Sequence, residues 1–389
     1  MSKHAVLSAS SSERWINCPG SVQMARHFPG TSSVAADEGT LAHELAALLL
    51  LEEDDSEVAK LEEKINWFYQ EHPELGGSFQ QMHGILEPYV CYVTDLFQEA
   101  LKTDPSALLL IEQRVDFSDI VPDGFGTADV VLISEGRVTV IDLKYGKGVP
   151  VSAVGNPQIR LYALGAIKLY SVLYNFGSAR MVIYQPRLDS VTDAEMTTDE
   201  LQLWADQVVK PAAKMALADS PPCHPGPWCD SHFCPGAGVC RERANYVLAI
   251  DRHSGKDPAI LTDEEIADTL ARLEHLQSFA KKLSDYALGE IQDGHLIPGW
   301  KIVEGRSNRA YTDQDKAAAA AVQAGYPEAA IYTRSLIGIS AMEKLMGKKQ
   351  FSKVLGDYVT KPKGAPKLAP ESDPRPAFDV RGGINEEFD

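Results

Sequence analysis

One stretch limits the architectures open to this chain more than any other. Residues 127–144 read TADVVLISEGRVTVIDLK, two β-branched runs joined at Glu135-Gly136 and closed by an acid and a lysine two positions apart. β-Branched side chains pack well on a pleated surface and lose freedom on a helix, so each run reads as a strand and the two together as a hairpin. With Glu135-Gly136 as a two-residue loop, Ser134 faces Arg137, and the same register sets Asp129 directly opposite Asp142. Opposed residues share a face with Cβ atoms ~5 Å apart. Lys144 follows on that face because strand side chains alternate. Two carboxylates so placed repel unless a positive charge lies between them. A divalent cation is the simplest such charge, and hard oxygen ligands suit Mg²⁺ or Mn²⁺. Lys144 could then orient a water or offset charge developing on a phosphate. A hairpin with its charges in solvent is the other reading, and the β-branched context of both strands weighs against it.

The pattern around the hairpin alternates in type. A serine-capped helical start over 8–26 is broken by Cys-Pro-Gly at 18–20, and helices are expected over 38–51, 52–75 and 82–103. Strands follow at 107–117 and in the hairpin, then a helix at 155–172, a strand at 179–187 and a helix at 197–218. That order implies an α/β fold with a mixed sheet flanked by helices. Past a Cys/Pro/Gly-rich loop at 221–240, helices are expected at 263–292, 313–324 and 340–356. Thr262 with Glu265 and Ser340 with Glu343 fit capping boxes. Residues 299–312 fit a small hairpin. From 361 the chain is rich in proline, glycine and charge, as in an extended or disordered tail. The expected division is 1–245 as an α/β core carrying the cysteine loop, 246–360 as a mostly helical region, and 361–389 as the tail.

The chain has 389 residues, 44% hydrophobic and 24% charged, which is ordinary globular composition. No apolar run reaches the ~20 residues of a membrane span. The longest, residues 41–51, is interrupted by His43 and Glu44, and the N-terminus lacks a signal-peptide core. A cytoplasmic protein with no membrane partner is expected, so the six cysteines are read for metal or burial rather than disulfides. The net charge of −18 argues against a protein that coats nucleic acid non-specifically. It does not exclude a nuclease, whose metal-holding carboxylates are themselves acidic. Residues 334–367 run against the trend, with Arg334 and seven lysines against Glu343 and Asp357. That patch suits a DNA backbone, a partner surface or a solvated helix.

Cys223, Cys229, Cys234 and Cys240 crowd into CHPGPWCDSHFCPGAGVC, Cys18 lies far upstream, and Cys91 sits alone in a helix as an expected small buried residue. Thiolates so closely spaced in a reducing compartment call for a metal. The ligands could be the local four, as in a zinc knot, or Cys18 with Cys229, Cys234 and Cys240.

Asp129, Asp142-x-Lys144 and the QIRLY helix carrying Gln158 and Tyr162, preceded by Gly39 and His43 in EGTLAHE, together resemble the PD-(D/E)XK nuclease superfamily. The nearest branch is the RecB-like nucleases, which include the RecB and AddB nuclease domains, lambda-type phage exonucleases and a CRISPR-associated nuclease. These motifs span residues 38–162 in the family's order. The resemblance implies a restriction-endonuclease-like core with an appended helical region. It implies that His43, Asp129, Asp142 and the Leu143 carbonyl hold Mg²⁺ or Mn²⁺, and that Lys144 positions the attacking water. Gln158 and Tyr162 would contact DNA or brace the site, and Glu112 would support the ligands from behind. The iron–sulfur members carry one cysteine before these motifs and three after. This implies a [4Fe–4S] cluster on Cys18, Cys229, Cys234 and Cys240, with structural Zn²⁺ as the alternative. Their usual C-x2-C-x5-C spacing is not kept, since the first gap here is four residues. The whole chain also resembles a phage and prophage family through SSERWINCPGS, PGWKIVEGRSNR and PESDPRP. Its members look like recombination exonucleases considered beside a single-strand annealing protein. The implied function is a metal-dependent exonuclease acting at duplex DNA ends in phage recombination or repair. An inactive DNA- or partner-binding module and a structure-specific endonuclease are its rivals.

Overall fold

The hairpin read from the sequence forms the middle of a five-stranded sheet in the computed structural model. The structure describes residues 5–28, 33–51, 55–134, 136–148, 150–231, 233–249, 261–305, 309–332, 336, 338–360, 366–370 and 376–377. The chain divides into two units, Met1–Phe279 and Ala280–Asp389.

The first unit begins with α1 (Ser12–Asn17), α2 (Ser21–His27), α3 (Val34–Leu51), α4 (Asp55–Glu71) and α5 (Phe79–Thr103). Strands β1 (Leu108–Asp116), β2 (Phe125–Ser134) and β3 (Arg137–Leu143) follow, then α6 (Pro157–Tyr170), β4 (Ser178–Gln185) and β5 (Ser190–Thr197). The spatial order is β1-β2-β3-β4-β5. Every pairing is antiparallel except β3 with β4, which run parallel across the α6 crossover. Asn156 starts α6 by accepting the backbone N–H groups of Gln158 and Ile159, with Pro157 at the first helical position.

The two sheet faces bury different helices. Val131, Ile133, Val138 and Val140 pack with Trp15 of α1 and Ile159, Leu161 and Ala163 of α6. α7 (Thr198–Trp204) and α8 (Lys210–Ala216) add Leu201 and Ala213 to that layer. Val130, Ile141 and Leu143 pack with Leu41 and Leu45 of α3, Ile65 of α4 and Met82, Leu86 and Tyr89 of α5. The mixed α/β architecture expected from the sequence is therefore present. Strand β5 was not expected. Its SVTDAEMT alternates half-buried and exposed, and its acids disfavour strand, yet pairing with β4 along the full strand overrides that local preference. The cysteine loop carries α9 (Trp228–Ser231) and leads into α10 (Arg241–Leu248) and α11 (Asp263–Gln292). The Thr262–Glu265 box caps α11 with both reciprocal hydrogen bonds.

In the second unit, the described residues of 299–312 pair with later segments rather than with each other. β6 (Trp300–Glu304) pairs with β9 (Pro366–Pro370), and β7 (Ala310–Tyr311) with β8 (Val359–Thr360). Five residues of the expected tail are thus a paired strand. α12 (Gln314–Gln323) and α13 (Glu328–Ile331) precede two helices where one was expected, α14 (Ile339–Met346) and α15 (Lys348–Leu355). Gly347 separates them at φ 75°, a positive φ that favours glycine and breaks the helical run. The Ser340 side chain of the second expected capping box lies outside the described residues, and Glu343 instead takes Arg309 at 2.6 and 2.8 Å. Among the described residues, no helix is long and apolar enough to cross a membrane.

Candidate metal centre

The register of the hairpin follows from its loop as expected. Ser134 pairs with Arg137, and the ladder runs to Val130 opposite Ile141. Glu135 of that loop lies outside the described residues. One step further, where Asp129 meets Asp142, the ladder stops. Asp129 Oδ2 instead accepts the Leu143 N–H at 2.7 Å. The β1–β2 ladder is interrupted at the same level. Ile111 pairs with Val130 and Gln113 with Ala128, and Glu112 between them holds φ 51°. A non-glycine residue in the left-handed region of a strand is strained, and such strain concentrates at functional sites.

His43 of α3 completes the group, its Nδ1 3.0 Å from Asp129 Oδ1. His43, Glu112 and Asp129 each offer a ligand atom, all within 4.8 Å of one another. One imidazole and two carboxylates fit a divalent cation. Burial draws the His43 imidazole down, but the Asp129 charge and hydrogen bond, with Asp142 behind, hold it at about 9. Burial, with the Asp129 charge added, pushes Glu112 up to about 7. Glu112 was expected behind the ligands and stands among them. Its signal in the sequence was its place one residue before Gln113 on the strand beside Asp129, where the hairpin register could not reach.

Asp142 belongs to the adjoining half of the site. Its side chain is nearly fully buried, and Lys144 Nζ lies 2.8 Å from its Oδ2. Burial pushes the Asp142 carboxyl up against the pull of Lys144, and the two acids Asp142 and Asp129 keep Lys144 protonated despite its own burial. Gln158 of α6 joins them, donating to Asp142 Oδ1 at 3.2 Å and accepting from Lys144 at 3.0 Å. It also donates to the Tyr162 hydroxyl at 3.3 Å. Tyr162 is buried, and its ring lies where a side chain on Gly126 would be, 2.7 Å from an ideal Cβ. Asp129 and Asp142 are therefore approached from opposite helical layers, α3 and α6, rather than sharing one set of partners. Leu143 lines a small cavity with His43, Tyr89, Glu112 and Asp129.

One network in this region was not read from the sequence. Glu38, buried at the start of α3, accepts from the Tyr69 hydroxyl at 2.8 Å and from Arg187 at 2.9 Å. The Arg187 guanidinium lies over the Tyr145 ring at 4.9 Å. This network ties the helix bearing His43 to the segment just after Lys144. Gly39, one turn before His43, has open space where a side chain would go.

The cysteines divide. Cys91 is exposed on α5, not buried as expected. Cys18 accepts the His224 N–H at 3.2 Å, and Gly20 donates to Pro222 O at 2.8 Å while an ideal Cβ on it would meet Cys223 Sγ. Burial, then Cys240 and Cys18 beside it, push the Cys223 thiol up to about 12. Burial, with smaller contributions from Cys229 and Cys18, pushes Cys234 up to about 11. Cys223, left out of the expected ligand set, thus neighbours two of its members. Among the described residues no three sulfurs lie within 4.8 Å of one another. In the basic patch, Lys344, Lys348, Lys349 and Lys353 are exposed on α14 and α15, whereas Arg334, Lys361 and Lys363 lie outside the described residues.

Residues 4–376 match the family described as "Protein of unknown function (DUF2800)". The chain belongs to that family. Among solved structures, it is similar to a candidate exonuclease from Eubacterium rectale at 11% identity and a TM-score of 0.34, covering 67% of this chain and 92% of that one. It is also similar to a protein named SSO0001 at 15% identity and a TM-score of 0.23, covering 62% and 89%. Likeness at these scores carries no argument about the activity of this family member, which rests on its own residues.

Proposed function

We propose that this protein is a divalent-metal-dependent deoxyribonuclease of the RecB-like PD-(D/E)XK type, acting as an exonuclease at duplex DNA ends. The observation that carries the reading is the pairing of two half-sites at one interruption of the sheet. On one side His43, Glu112 and Asp129 converge, and on the other a protonated lysine is held by Asp142 and Gln158.

In this reading His43, Glu112 and Asp129 would hold Mg²⁺ or Mn²⁺, with the Leu143 carbonyl and Asp142 as further candidate ligands. The cation, when bound, polarises a phosphate oxygen and makes a nearby water a better nucleophile. The chain's own residues do the rest. Asp142 and Gln158 fix the Lys144 ammonium so that it stands beside the charge that develops on the phosphate. Tyr162 holds Gln158, and the Glu38–Arg187 network fixes α3 so that His43 keeps its angle. The chain's −18 charge leaves the cation as the main attraction for the phosphate. We also propose that Cys18, Cys229, Cys234 and Cys240 hold a [4Fe–4S] cluster, with Zn²⁺ as the alternative. The contacts joining Cys18 and Gly20 to residues 222–224 support a staple between the two ends of the core. Work in the cytoplasm at phage or prophage DNA ends, beside a single-strand annealing protein, belongs to the same proposal.

The test is digestion of end-labelled linear duplex and closed circular DNA with Mn²⁺, by wild type and Asp142→Ala. Loss from linear ends alone, abolished by the substitution, is the expected result. Cleavage of the circle would make the protein an endonuclease. No cleavage by folded wild type would favour a binding module.

A further inference from the structure

The cavity beside the metal ligands contains a group that the proposed mechanism does not use. Tyr89 of α5 is 1% exposed, and its hydroxyl has no hydrogen-bond partner among the described residues. It lines the same small space as His43, Glu112, Asp129 and Leu143. Its ring is fixed against Tyr184 in an edge-to-face contact at 5.4 Å, so the hydroxyl cannot swing out to solvent. Leaving a buried hydroxyl unpaired is costly, and a phenylalanine would avoid that cost with the same packing. Leu86 and Val93, one turn to either side on α5, are both apolar and buried. The volume of the space limits what can satisfy the hydroxyl. It has room for about 10 Å³ of a water-sized sphere, close to the lower limit for one water and too little for any part of a nucleotide.

We propose that Tyr89 is a positioning residue of the metal centre, its hydroxyl donating to a single water enclosed between it and the ligands His43, Glu112 and Asp129. Every acidic oxygen of the cluster is an acceptor, so Tyr89 is the donor on this wall of the cavity. A water held by that donor and by the cation would have its lone pairs and protons assigned, which is what a fixed nucleophile or a fixed shell requires. The inference rests on the proposed metal centre and adds to it a residue from a helix that carries none of the sequence motifs.

The experiment uses the full-length protein stripped of metal, with Mn²⁺ alone as the probe. Affinity is read by calorimetry and by the electron paramagnetic resonance of free Mn²⁺, and melting temperature with and without Mn²⁺. Tyr89→Phe should melt no lower than wild type without metal, because it loses only an unpaired hydroxyl. Its Mn²⁺ dissociation constant should rise ~10-fold, and kcat should fall with KM unchanged. A second readout needs no variant. Mn²⁺ added to wild type should give a near-ultraviolet tyrosine difference spectrum as the hydroxyl gains its partner. Equal Mn²⁺ affinity in the variant, or no difference spectrum in a wild type that binds Mn²⁺, overturns the role of Tyr89 and leaves the metal centre standing. A wild type that binds no Mn²⁺ overturns both.

Discussion

Asp129 uses each of its oxygens for a different purpose, one on the Leu143 N–H and one on His43. The first contact replaces a ladder hydrogen bond, and the second sets the charge of the imidazole. Replacing Asp129 with Asn should therefore let the His43 pKa fall from about 9 toward the ordinary range. An NMR titration of the imidazole that stayed near its wild-type value would sink the assignment. The same pair fixes the sign of a pH effect. A histidine whose pKa is raised by folding contributes stability that is complete below its ordinary value and lost as pH rises through about 9. Glu112, raised to about 7, also favours its protonated form in the fold, and so opposes stability as pH rises toward that value. Metal-free protein should lose melting temperature between about pH 6.5 and 8.5, while Mn²⁺-loaded protein should gain, because the cation displaces both protons. Parallel slopes with and without Mn²⁺ would refute the ligand set. Lys144 is 27% exposed and Asp142 4%. Lys144→Ala should cost about 2 kcal/mol by urea unfolding, below the ~3–5 kcal/mol of fully buried pairs, and Mn²⁺ should restore part of it.

At the scale of elements, α3 carries an apparent contradiction. Glycine inside a helix costs about 1 kcal/mol relative to alanine, and among the described residues Gly39 has nothing that a methyl group would touch. Gly39→Ala should therefore raise stability by about 0.5–1 kcal/mol. If DNA cleavage falls at the same time, the open space is where the substrate backbone passes. Unchanged cleavage would assign the glycine no such part. Gly126 predicts the reverse, because alanine there must displace the Tyr162 ring and with it Gln158. The central strands and most helices were legible because their periodicity is strong and their caps are chemical, as at Asn156 and Thr262. β5 was not legible, because an edge strand takes its conformation from its neighbour more than from its own side chains. Nor was the partner of β6, since a five-residue strand containing two prolines in a charged, proline-rich segment has no strand signature of its own.

For the whole molecule, the −18 charge opposes approach to DNA at any distance the salt does not screen. Binding of linear duplex by Asp142→Asn should then be at least ~10-fold tighter with Ca²⁺ than with chelator by mobility shift, an expectation that fails if the exposed lysines of α14 and α15 suffice alone. Within one hairpin the register was legible as far as Val130 opposite Ile141, while Asp129 leaves the ladder one step further on. The half built from distant elements was less so, since Glu112, Tyr89 and Arg187 meet it only after β1, α5 and β4 are packed. The contact from His224 to Cys18 spans 206 positions. That distance has a consequence during synthesis. At ~5–20 residues per second, the N-terminal helices leave the ribosome roughly ten to forty seconds before the loop that receives them exists. Helices of six and seven residues do not hold alone for that time. A segment translated before the sheet is thus among the last to fold, and Cys18 spends the interval as an open thiol that a nascent-chain chaperone or an oxidant can reach before its neighbours do.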